Sequence, residues 1–425
     1  MEYKKIENEN YTLHLINTNR FKMMNVVLFF TKKFDKNDIL YGNLLTKNMV
    51  YTSKKYNTKS KMATIGEDLY GARVSASFNI VGNTTEYIFS LDFLNPKYTD
   101  ESYLKKSLDF LYEVLFNPNV DKNGFKQEYF DITVKEIIAN IESIKDNPNL
   151  YASIEYSKKM YKGTPSEYFY LPEIKELEKV TPNSLYEYYK ELFSGKYRTD
   201  IVVYGELPKE IEKHINVIFK NIKTSKDDIN LKINYKFDNK VKEYKDVLPY
   251  NQSKLYIGYR LNDLNYHEMS HILKVYNTIL GTMNDSILFN IVREKHSLCY
   301  SIGSYYSKYN PSLTIYAGIN KVNYEKTVEL IKECVNMMKD EKILKRLFES
   351  AKKTINTYLN NYYDDVVSQI NKYYYDQFDE NEDIETYRES INNVTLDEVI
   401  KLNEKISLST IYLLEGDNYG RESIW

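Results

Sequence analysis

Near the middle of the chain, His267-Glu268-Met269-Ser270-His271 has the residue types and spacing of hydrolytic metal chemistry. Two histidines four residues apart share one face of a helix, so both imidazoles can reach one zinc ion. A glutamate beside the first can take a proton from a zinc-bound water. The phase of the surrounding helix argues against that use. At about 100° per residue, Met269, Ile272, Leu273, Tyr276, Ile279 and Leu280 gather on one apolar face. His267 and His271, with Lys274 and Thr278, fall opposite and are expected to face water. The H-x-x-G-x-x-H extension is absent, because Lys and Asn occupy positions 274 and 277. Glu294 and Glu325 stay open as downstream third ligands, and surface histidines at i and i+4 can still chelate a metal weakly.

The elements that would position such a site come in two sets. TDIVVYGEL (199–207) and STIYLLEGD (409–417) each read as an apolar strand running into a Gly turn. Each follows a helix opened by Val-Thr, with Thr181 and Thr395 as N-cap candidates and Pro182 in a first turn. Upstream, the stretch from Thr84 and the stretch from Pro311 share one plan: alternating strand, Tyr-containing turn, amphipathic helix. Two α+β halves follow, residues 1–223 and 246–425, joined by a polar, charged linker at 224–245.

Composition removes several functions. Lys and Arg number 58 against 60 acidic residues, a net charge of −2, which offers no basic excess to nucleic acid or an anionic membrane. Cys299 and Cys334 are too few for a disulfide framework or a Cys-based zinc site. No run reaches transmembrane length, and MEYKKIENENYTLHL lacks the apolar core of a signal peptide. The expectation is a soluble, cytoplasmic chain with neither membrane nor nucleic acid as partner. The basic run KKYNTKSK (54–61) reads as a solvated loop, and Gly66 and Gly71 as turn and packing residues.

Residues 280–304, LGTMNDSILFNIVREKHSLCYSIGS, resemble the second-half signature of the insulinase/pitrilysin peptidase family. That signature runs Leu-Gly-Gly, Ser-x-Leu-Phe, then Arg-Glu-Lys-x-Gly-Leu-x-Tyr. DLYGARVSASF, the long stretch from Phe116 and VVYGEL extend the resemblance over nearly the whole chain. It implies two homologous α/β sandwich halves, each a sheet backed by helices, closing like a clam around a peptide chamber. It also implies an inverted zinc motif, H-x-x-E-H, on the first helix of the first half. Here those positions are Leu44, Leu45, Thr46, Lys47 and Asn48, which contain no ligand. The family's third ligand, a glutamate, falls at Lys135 or, with a slip of one, at Glu136. In the second half the equivalent positions are 272–276, after the His-Glu-Met-Ser-His run.

What the chain keeps is Arg293 and Tyr300, which in this family reach over the zinc and bind the substrate backbone. The resemblance therefore implies a metal-free subunit, without zinc of its own, that binds peptide and lends Arg293 and Tyr300 to a zinc-bearing paralogous subunit in a heterodimeric metallopeptidase. Two alternatives stand beside this reading. One is a peptidase-fold scaffold or binding protein with no enzymatic role; the other is an autonomous zinc peptidase using His267, Glu268 and His271.

Overall fold

The computed structural model describes residues 1–234, 240–380 and 382–417. The chain forms two compact units, and neither is continuous in sequence. The first contains residues 1–143, 169–231 and 370–378; the second contains 144–168, 232–369 and, among the described residues, 379–417.

The first unit is built on strands β1 (Glu2–Glu7), β2 (Thr12–Asn17), β3 (Met23–Lys33), β4 (Arg73–Val81) and β5 (Thr84–Leu94). A two-residue hairpin, β6 (Val120–Asp121) and β7 (Gly124–Phe125), stands apart, and β8 (Arg198–Gly205) completes the sheet. The order is β1-β2-β8-β3-β5-β4, antiparallel except where β2 meets β8. The second unit uses β9 (Lys242–Leu248), β10 (Ser253–Leu261), β11 (Cys299–Ser307), β12 (Ser312–Ile319) and β13 (Ile406–Gly416). Read from β9, its order is β9-β13-β10-β12-β11, with β9 and β13 parallel. Without β1, the first sheet has the same order and the same single parallel pair. The internal repeat is therefore a repeat of topology as well as of sequence.

Local signals place the helices as expected. Thr181 and Ser184 form a reciprocal capping box ahead of helix Pro182–Leu192, and Thr395 and Glu398 do the same for helix Leu396–Leu402. Gly71 takes φ +80°, a turn conformation that suits glycine. Within the stretch expected to link the halves, Lys242–Leu248 is strand β9, and the Leu231 side chain is buried.

One face of each sheet packs on helices of its own half. In the first unit Leu28, Phe30, Phe89 and Ile201 meet Leu44, Leu45 and Leu111; in the second Ile257, Leu313, Ile315 and Ile411 join Leu273 and Ile331. The other faces are buried too, because β3 is apolar from Val26 to Phe30 and all nine residues of β10 are buried. In the first unit residues 370–378 cover that face. Tyr374 stacks on Phe29 at 3.7 Å between centroids and its hydroxyl bonds Thr31, while Gln377 reaches Arg198 at 2.7 Å. In the second, helix Pro148–Met160 and Tyr161 cover it. Tyr156 bonds Thr314 and Tyr161 bonds Ser312, both at 2.9 Å.

Beneath residues 370–378 lies a fully buried carboxyl, Glu86 of β5. The Tyr375 hydroxyl donates to it at 2.6 Å, and its second oxygen has no partner among the described residues. Burial pushes its pKa up to about 7. The folded state thus holds a proton that the unfolded chain releases near pH 4.5, so stability falls as pH rises between these values and the loss is complete above about 7. Glu86→Gln should gain on the order of 2–3 kcal/mol at pH 8 and clearly less at pH 5, by denaturant unfolding at the two pH values. An equal change at both would contradict this assignment.

Candidate functional site

Three places carry the chemistry expected from the sequence. The first is helix Asn37–Tyr51, where the family's metal motif would lie. Leu44 and Leu45 are fully buried in the core, and the Asn48 amide donates to the Leu44 carbonyl at 2.9 Å. Lys47 is the exception on this face. Its ammonium lies 3.3 Å from the Glu136 carboxylate on helix Gln127–Ser143. Tyr51, one turn further on, donates its hydroxyl to the same carboxylate, and Lys59 approaches it at 3.5 Å with its ammonium over the Tyr51 ring. Burial alone would raise the Glu136 carboxyl, but Tyr51, Lys47 and Lys59 outweigh it and hold it below its usual range.

Of the two residues at the expected third-ligand position, Glu136 faces the first helix and Lys135 is exposed. It also decides the question of fit. There is no imidazole, the one carboxylate is shared by two lysines, and an ammonium stands where a divalent ion would have to sit. These residues do not fit zinc. The basic run at 54–61 is only partly a loop, since Thr58 caps a helix that begins at Lys59 by accepting from the Lys61 N–H at 3.2 Å.

The second place is the His-Glu-Met-Ser-His run, and here one expectation is corrected. His271 does not face water; it is 3% exposed. The helix is π-helical over Glu268–Ile272 and again over Thr278–Thr282. In a π-turn the i→i+5 bonds advance each residue by less than the α-helical angle, so the phase computed at 100° drifts out of step. The apolar face is as read, but Thr278 on the opposite side is buried as well, and the ammonium of Lys274 is lowered by burial.

The two imidazoles and the carboxylate of the run all have structural partners. The two Nδ1 atoms face each other at 3.0 Å; His271 Nε2 meets Glu382 at 2.7 Å and His267 Nε2 meets Glu398 at 3.4 Å. Glu268 accepts from Lys405 at 2.6 Å and from the Asn265 N–H at 2.9 Å. Burial would raise the Glu382 and Glu398 carboxyls, yet donors on each, including a histidine, hold both low. Among the described residues no group of three or more His, Cys, Asp or Glu is arranged to hold a metal ion. With Glu268 tied to Lys405, no base is free to activate a water, and an autonomous site of His267, Glu268 and His271 is not formed. Glu382 and Glu398, more than a hundred residues downstream, were beyond reach of any spacing rule.

The third place is the Arg293–Tyr300 stretch. Phe289–Lys295 is a π-helical segment, turned into β11 through Ser297 at φ +50°. The Arg293 side chain is 44% exposed, lies over the Phe289 ring at 4.7 Å and approaches Glu294 only at 3.8 Å. β11 is an edge strand, and its register against β12 shifts between Cys299 and Ser301. Tyr300 is the extra residue of this bulge. Cys299 turns into the core, Ser301 pairs with Gly318, and Tyr300 is released from the alternation to stand 76% exposed. Bulges re-aim single side chains in this way beside binding sites.

Comparison with known proteins agrees with these observations. The family model described as the Peptidase M16 inactive domain matches residues 179–355. The probable inactive metalloprotease YmfF of Bacillus subtilis (strain 168) is 27% identical over 420 residues, 97% of each chain. The uncharacterized zinc protease YmxG of the same organism is 26% identical over 284 residues, 66% of each. A conserved protein from Enterococcus faecalis V583 superposes with a TM-score of 0.91 at 23% identity, covering 98% of this chain and 99% of that one. The peptidase M16 inactive domain from Pseudomonas fluorescens gives 0.78 at 17% identity, covering 99% and 100%. Fold and site together define a two-half peptidase-fold protein whose expected zinc positions are filled by an ion pair and core leucines. The chain is thus similar, in sequence and in fold, to inactive members of the M16 peptidase family.

The histidine network predicts an asymmetry. His271→Ala removes the buried imidazole donor from the Glu382 carboxylate and should cost about 1–3 kcal/mol in denaturant unfolding, whereas His267→Ala, at the half-exposed end, should cost under about 1 kcal/mol. If neither variant loses stability, the network is not the structural unit described.

Proposed function

We propose that this chain is the zinc-free subunit of a two-chain, cytoplasmic insulinase-like peptidase. It helps hold a peptide and supplies Arg293 and Tyr300 to the zinc site of a paralogous, zinc-bearing subunit. The observation that carries this reading is the display of the pair. A π-helical segment and a strand bulge, both departures from regular structure, leave Arg293 and Tyr300 exposed, while Val292, Leu298 and Cys299 beside them pack inward. Tyr300 has no hydrogen-bond partner among the described residues, so its phenol is available to a ligand.

The chemistry suits peptide hydrolysis on another chain's metal. When a water adds to a peptide carbonyl, negative charge develops on the carbonyl oxygen. A phenol O–H held nearby can donate to it, and a fixed guanidinium stabilises the same charge or holds a neighbouring backbone carbonyl in place. The resident relative's name, a probable inactive metalloprotease, accords with a chain that does no hydrolysis alone.

The test is reconstitution with the zinc-bearing paralogue. Arg293→Met combined with Tyr300→Phe should cut kcat/KM of the complex on a reporter peptide by about 100-fold or more, with co-elution of the two chains unchanged. A double variant working at the wild-type rate would overturn this reading and leave a scaffold role. The purified chain alone should neither cleave the peptide nor retain stoichiometric zinc after dialysis.

A further inference from the structure

We propose that Lys254 forms the floor of a pocket that receives a carboxylate of a bound peptide. The pocket lies wholly within the second unit, on the sheet face that helix Pro148–Met160 covers only in part. It has a volume of about 290 Å³ and is lined by Lys254 and Tyr256 of β10, Tyr316 of β12, Ser301 and Tyr305 of β11, and the first turns of that helix. A space of this size admits a small polar group or a single residue.

The chemical class of the ligand follows from the cation. Lys254 is 8% exposed, and its ammonium donates to the neutral Gln252 amide oxygen at 2.6 Å. No carboxylate lies within ion-pair distance among the described residues. By contrast, Lys32 of β3 in the first unit has Asp38 at 2.9 Å. Burial alone lowers the Lys254 ammonium, with no acidic group opposing it. A buried, uncompensated charge is costly, and a carboxylate entering beside it would offset that cost.

The surroundings favour an anion with an apolar body. Tyr256, Tyr305 and Tyr316 form a run of tilted rings with centroids 6.2 to 6.5 Å apart, offering flat walls with hydroxyl donors at their tips. Asn149 brings the positive end of a thirteen-residue helix to the same opening. At Gly318 a Cβ would come within 2.8 Å of the Gln252 amide oxygen, so glycine here leaves room for that amide beside the ammonium. No acidic side chain lines the space. Ser301 is the residue after Tyr300, which puts the pocket on the strand that displays the exposed phenol.

The inference rests on the peptide-holding part of the proposed function and is independent of the partner's zinc. The test uses the full chain by itself, with acetyl-Ala-Ala-Tyr as the free acid and as the amide, titrated calorimetrically. The acid should bind about tenfold more tightly or better. Lys254→Met should abolish the difference, and Lys254→Arg should keep it. A gain for the amide of acetyl-Glu-Ala-Tyr that also needs Lys254 would support the pocket and assign it to acidic side chains as well as chain ends. The Arg293→Met, Tyr300→Phe double variant should keep the preference for the acid. Thermal melting of Lys254→Met separates loss of binding from loss of fold, and removing the buried charge should leave the melting temperature unchanged or higher. Equal affinity of acid and amide for the wild-type chain, or a preference that survives Lys254→Met, would overturn the proposal. If the acid preference holds while the double variant leaves the complex fully active, the zinc-site reading fails and the pocket stands.

Discussion

Both sheets carry buried residues on both faces, and the helices that follow each strand in sequence reach only one of them. Everything else in the two units answers to that condition. The uncovered faces hold Phe29 and Val27 in the first unit and Tyr256 and Tyr412 in the second, mixed with strand hydroxyls and ionisable groups that need partners. A purely aliphatic cover would strand those polar atoms; a polar one would waste the apolar area. Tyrosine meets both demands, with a ring for packing and a hydroxyl at its edge. Tyr374 and Tyr375 serve Phe29, Thr31 and Glu86, and Tyr156 and Tyr161 serve Thr314 and Ser312. A chain with 43 tyrosines has put several where only that side chain does both tasks.

The place of the lost metal shows a related economy. A zinc site joins two helices by a cation held between side chains. Here the Lys47 ammonium reaches from one helix to Glu136 on the other, with Tyr51 and Lys59 completing the shell. The link is weaker than metal ligation and partly exposed, so its net worth is modest, about 1 kcal/mol or less. It preserves the contact between the two helices.

Much of this was legible in the sequence. The tandem plan, the Thr181 and Thr395 caps and the vacancy at Leu44–Asn48 could be read from residue types and spacing, because each depends on local preference or on comparison of one half with the other. Three features were not. The burial of His271 turns on π-helical bonding, which no periodicity at 100° per residue foresees. The choice of Glu136 over Lys135 turns on a one-residue phase that only packing resolves. The covering of the first sheet by residues 370–378 turns on a segment, YYYDQF, whose tyrosines carry no mark of which sheet they will meet.

The interleaving of the units along the chain bears on how the protein is made. Phe29 leaves the ribosome early, and the ring that will stack on it, Tyr374, follows roughly 340 residues later, tens of seconds at ordinary elongation rates of about 5–20 residues per second. For that interval the outer face of the first sheet is apolar and open, and the unit cannot close on itself as a domain made from contiguous residues would. The nascent chain thus carries that apolar face without its native cover until residues 370–378 have emerged.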